Sequence, residues 1–82
     1  MPTLQEVEKF ARSLSCGVEI NFELEDDELR MPMRNSCGDE PDQETWTASR
    51  SLAIAIKKQF TDGVTITREE LDEWVDVVVK LK

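Results

Sequence analysis

The chain has 82 residues, of which 34% are charged, and it carries a formal net charge of -8 with a pI near 4.4. That length is expected to hold one domain, residues 1–82, and the acid excess disfavours direct contact with nucleic acid or anionic membranes, which need clustered lysine and arginine. A domain this small buries only about 60–65% of the surface its unfolded chain exposes, so homodimerisation would be a natural supplement. No run approaches the ~20 apolar residues of a membrane span, and the start has no basic segment followed by an apolar one, so a cytoplasmic location is expected.

Thr3-Leu4-Gln5-Glu6 has the spacing of a capping box, and Leu4, Val7, Phe10, Ala11 and Leu14 follow at helical intervals. These predict a first helix over 4–15, with Gly17 ending it in the left-handed region.

A hairpin then assembles around Asp26-Asp27 when residues whose numbers sum to 53 are paired. Leu24 meets Leu29, Phe22 meets Met31 and Ile20 meets Met33 on one face, while Glu23 meets Arg30 and Glu19 meets Arg34 on the other. Each good cross-strand pair contributes about 0.2–1 kcal/mol, and a one-residue slip would place Phe22 opposite Arg30 or Pro32. The strands should cover about 18–24 and 29–34.

Pro32 constrains the turn, because proline has no N–H for a ladder. A two-residue turn puts Asn21–Pro32 on a hydrogen-bonded position, whereas a four-residue loop, Glu25 to Glu28, would spare that bond. The longer loop is therefore expected, with the second strand at an edge of the sheet. The same register brings Cys16 and Cys37 opposite each other. A reducing compartment predicts free thiols, and the longer loop would give a hydrogen-bonded pair, a less favourable geometry for a bridge.

Residues 35–44 form a polar connector in which Pro41 suits the first turn of a helix. A second helix over 41–60 would carry Trp46, Ser49, Leu52, Ala53, Ile56 and Phe60 as its core stripe, and Ala48, Ile54 and Ala55 broaden it enough to predict a central, most buried helix. Thr61-Asp62-Gly63 ends it, and Val64-Thr65-Ile66 can make a short strand.

Thr67-Arg68-Glu69-Glu70 repeats the capping-box spacing, with Ile66 and Leu71 placed as a hydrophobic staple. A third helix over 68–81 would then present Leu71, Trp74, Val75, Val78 and Leu81, although Val75, Val77, Val79 and Leu81 also alternate like a strand. The order read from sequence is α-β-β-α-(β)-α, an α+β domain with helices packed on one face of an antiparallel hairpin.

Catalytic chemistry finds little to work with. The chain has no histidine or tyrosine, no phosphate-binding glycine loop, no Cys-x-x-Cys and no nucleophilic serine in a familiar context, which predicts a non-enzyme. No cofactor is implied, two cysteines without histidine are too few for zinc, and the acidic run lacks the spacing and glycine of a calcium loop.

Three acidic groups remain. Glu25, Asp26, Asp27 and Glu28 crowd the hairpin tip, where an ordinary solvated loop is the bland alternative to a contact site. Asp39, Glu40, Asp42 and Glu44 fit the start of a helix, where acids offset the macrodipole. Glu69, Glu73 and Asp76 would share one face of the third helix without cations beside them. Trp46 and Trp74 are expected in the core with Met31 and Met33, and Arg30 and Arg34 are expected to balance Glu23 and Glu19.

The expected function is that of a small acidic binding module, an inhibitor or regulator. Its partner-binding residues would be Glu25, Asp26, Asp27, Glu28, Glu69, Glu73 and Asp76, docking on a basic surface of a larger, nucleic-acid-binding protein. Phage and mobile-element inhibitors, including anti-CRISPR proteins and other nucleic-acid mimics, have this general size and acidity. That is an analogy of composition, carried by no sequence motif. The alternative is an assembly subunit acting through self-association.

Overall fold

The computed structural model describes residues 2–14, 18–34, 43–71 and 74–82. Along the chain run α1 (Leu4–Arg12), β1 (Glu19–Ile20), β2 (Glu23–Leu24), β3 (Leu29–Arg34), α2 (Gln43–Gln59), β4 (Val64–Glu70) and β5 (Val75–Leu81). The strands form one antiparallel sheet in the order β1-β3-β5-β4, with β2 also paired to β3. Both helices pack on the same face, so the α+β class with helices on one side of an antiparallel sheet holds.

The Thr3 half of the first capping signal is realised. Glu6 N–H donates to Thr3 Oγ1 at 3.1 Å, and the Thr3 hydroxyl donates to Glu6 Oε1 at 3.3 Å. Thr3→Ala should therefore cost about 1 kcal/mol in a denaturant titration. α1 ends earlier than expected, at Arg12, where Ser13 Oγ bonds Phe10 O at 2.6 Å. Gly17, Cys16, Cys37 and Pro41 lie outside the described residues.

The 53-sum register is realised in the pairs Glu19–Arg34, Ile20–Met33, Glu23–Arg30 and Leu24–Leu29. Two inferences drawn from Pro32 are corrected. Glu25 N–H donates to Glu28 O at 2.9 Å, so only Asp26 and Asp27 lie beyond the closing bond. Asn21 N–H donates to Pro32 O at 3.0 Å, which places the proline on a hydrogen-bonded position where it returns nothing. The ladder breaks there into β1 and β2, and that interruption absorbs the missing donor. β3 is not an edge, because its other side pairs with β5 from Leu29–Val79 to Met33–Val75. The proline is tolerated inside the sheet because its vacant side faces the broken ribbon rather than β5.

α2 buries Thr45, Ala48, Ser49, Leu52 and Ile56, spaced three and four apart. It is an amphipathic covering helix rather than an all-round buried one, for Ile54 is 56% exposed. Asp62 follows it with φ 66°, a left-handed conformation that costs a side-chain-bearing residue about 1 kcal/mol. Asp62→Gly is expected to leave Tm unchanged or raise it by a few degrees, as relief of that conformation offsets the added unfolded-chain entropy.

In place of the third helix expected over 68–81, the described residues of that segment lie in β4 and β5 and the closing turn. β4 and β5 make a second hairpin in a 145-sum register from Val64–Leu81 to Glu70–Val75, closed by Leu71 N–H to Trp74 O at 2.8 Å. Val64-Thr65-Ile66-Thr67 and Val77-Val78-Val79 are β-branched runs whose strand preference competes with the capping box, and pairing of β5 with β3 settles the contest. Leu71, the supposed staple residue, is 40% exposed. As a helix the segment would have turned Val77 and Val79 away from its apolar stripe, yet both are fully buried in the sheet.

The core lies between the sheet and the helices. Leu4, Val7 and Ala11 of α1, with Ala48, Leu52 and Ile56 of α2, pack on Leu29, Met31, Met33, Val64, Val77 and Val79. The two methionines thus sit where the sequence put them. Among the described residues no helix is long and apolar enough to cross a membrane.

Candidate functional site

Alternation along the strands sends Arg30, Pro32 and Arg34 of β3, Asp76, Val78 and Lys80 of β5, and Thr65, Thr67 and Glu69 of β4 to the face without helices. Arg30 stands opposite Val78, and Glu69 stands opposite Asp76. Two like charges directly opposed on neighbouring strands repel. Arg30 resolves that conflict, with Nη1 at 2.6 Å from Asp76 Oδ2 and 3.1 Å from Glu69 Oε2, while Nε reaches Glu28 Oε2 at 3.1 Å.

Asp76 is only 3% exposed, and its Oδ1 has no hydrogen-bond partner among the described residues. The Arg30 guanidinium is held above its ordinary pKa range, first by the bond to Asp76 and then by the bond to Glu69. A raised folded-state pKa stabilises below the unfolded value and is lost only as pH rises through the folded one. For an arginine both values lie above the pH at which proteins are handled, so this cation stays charged throughout.

The seven acidic candidates therefore part into groups. Glu25, Asp26 and Asp27 are exposed at the tip, with no ion pair among the described residues. Glu28, the fourth tip residue, turns back to Arg30 and lies 4.0 Å from Lys80 Nζ. Glu69 and Asp76 share Arg30 on adjacent strands rather than lining a helix, and Glu73 lies outside the described residues. Of the second acidic group only Glu44 is described, and it is exposed in the first turn of α2.

Arg30 does not pair simply with its register partner Glu23; it reaches the other way, across β5. Its length lets it serve three carboxylates where the nearest cross-strand acid would use one. Trp46 and Trp74 are half-buried rather than core residues, and each ring lies beneath a guanidinium: Arg68 at 4.3 Å and Arg34 at 5.8 Å from the ring centre. Among the described residues no three acidic or thiol side chains converge to hold a metal ion. Comparison with protein-family models, curated proteins and solved structures finds no match.

Proposed function

We propose that this protein is a small acidic binding module that inhibits or regulates a larger protein by docking its hairpin tip on a basic, nucleic-acid-binding site. The observation that carries this reading is the contrast between the carboxylates. Glu28, Glu69 and Asp76 share the Arg30 guanidinium, whereas Glu25, Asp26 and Asp27 lie exposed, with no ion pair among the described residues, at the two-residue turn of a register-locked ribbon. Such a tip offers several negative charges in a fixed arrangement, as consecutive phosphates do, and would exclude nucleic acid from a cationic groove by competition. A phage or mobile-element anti-defence protein of the anti-CRISPR kind would work this way.

The test compares the wild-type protein with Asp26→Lys/Asp27→Lys as baits at low and high salt, with nucleic acid as competitor. Retention of a basic partner should fall with the charge reversal, with rising salt and with added nucleic acid. A partner held equally in all these conditions would overturn the reading. The assembly-subunit alternative draws on the exposed Ile54 of α2, and sedimentation over a range of concentrations separates it: a dimer that forms alone and persists at high salt would replace the docking reading.

A further inference from the structure

Despite its net charge of -8, the molecule has a concentrated basic surface. The groove between α2 and β4 is lined by Arg50, Lys57, Lys58, Arg68 and Lys82, five of the chain's ten lysines and arginines, and among the described residues by no Asp or Glu side chain. None of the five is in an ion pair among the described residues. Arg50, Ile54, Lys57 and Thr61 recur at helical spacing, so one side of α2 and the turn that follows it supply half of the wall.

β4 adds Thr65, Ile66 and Arg68, and its backbone is oriented for pairing. Gly63 O accepts from Lys82 N–H at 3.1 Å, and Leu71 N–H donates to Trp74 O, which fixes the odd-numbered residues of β4 as those bonded to β5. The N–H and C=O groups of the even-numbered residues, Val64, Ile66, Arg68 and Glu70, therefore point away from the sheet. Lys57 Nζ confirms the direction by donating to Val64 O at 3.0 Å. Beyond it, the amide and carbonyl of Ile66 and Arg68 have no strand beside them among the described residues. Ile54, the most exposed large apolar side chain, lies against the same groove, with Ile66 half-buried across from it.

We infer that this groove binds an acidic, extended peptide segment of a partner protein, which adds to the sheet as a strand beside β4. Main-chain bonds to Ile66 and Arg68 would hold the segment, its apolar side chains would cover Ile54 and Ile66, and its carboxylates would meet Arg50, Lys57, Lys58 and Lys82. Self-pairing of two β4 edges is disfavoured by the same residues, because it would bring ten uncompensated cations together. The cationic rim thus both protects the edge against its own kind and selects an acidic strand.

The probe is a fluorescent, end-blocked ten-residue peptide of repeating Glu-Glu-Val-Val, which sets both residue types on each face of the strand, titrated into the full chain by fluorescence anisotropy, with amide shifts followed by NMR. Saturable binding is expected, with the largest shifts at Ile66 and Arg68, weakening with salt and by about tenfold or more in Arg50→Glu/Lys58→Glu. A peptide N-methylated on the bonding amides should lose binding, and Asp26→Lys/Asp27→Lys should retain it, which separates this groove from the hairpin tip. Equal binding of the N-methylated peptide, indifference to Arg50→Glu/Lys58→Glu, or binding of a single-stranded oligonucleotide in place of the peptide would each overturn the proposal.

Discussion

Arg30→Met is expected to destabilise the protein by about 3–5 kcal/mol, the cost of leaving a buried carboxylate without its partner. The methionine keeps most of the aliphatic stem across the sheet, so the loss isolates the guanidinium. Asp76 would then be a buried charge directly opposite Glu69, with neither neutralised. Against a total stability of about 5–15 kcal/mol for a typical domain, much of the margin would go. The reciprocal change behaves differently. Asp76→Val leaves Arg30 with Glu28 and Glu69 at a partly exposed position and removes the unpartnered Oδ1, so stability should stay within about 1 kcal/mol of wild type. Arg30→Met/Asp76→Val should recover at least half of the single-variant loss. Urea unfolding of the four proteins gives the cycle, and equal costs for Arg30→Met and Asp76→Val would show that the asymmetry is absent.

Val77→Ala is expected to cost about 2–3 kcal/mol, from two buried methyl groups at about 0.8 kcal/mol each and the cavity they leave. Leu81→Ala, at a side chain 39% exposed, should cost less than about 1 kcal/mol. The contrast separates two readings of one segment. A helix over 68–81 would put Leu81 on the buried stripe and Val77 off it, whereas the β4–β5 hairpin reverses their ranks. Thermal or denaturant unfolding that found Leu81→Ala the more damaging would contradict the strand.

The candidate site was legible in part. A polar run between two apolar strands places Glu25, Asp26 and Asp27 at an exposed tip on sequence grounds alone, because hairpin register is a local property. The grouping of Glu28, Glu69 and Asp76 around Arg30 was not legible, since it depends on β3 lying beside β5 at a separation of 46 residues between Arg30 and Asp76. The basic groove was hidden for the same reason. Lys57 and Lys58 lie in the last turn of α2, and only the placement of that helix along β4 adds Arg68 and Lys82 to them.

By itself the sequence determined what neighbouring residues decide: the Thr3 cap, the Ser49, Leu52 and Ile56 stripe of α2 and the 53-sum ribbon, whose apolar and charged pairs agree on both faces at once. Tertiary structure decided the rest. The segment 64–81 carries a capping signal and a β-branched alternation of comparable local strength, and neither wins locally. β3 breaks the tie, because its side away from the interrupted ribbon needs hydrogen-bonding partners and its Leu29, Met31 and Met33 need apolar neighbours. β5 provides both, burying Val75, Val77 and Val79 in register beside them. The same pairing makes Pro32 an interior residue, gives Asp76 its arginine and leaves β4 at a sheet edge among the described residues.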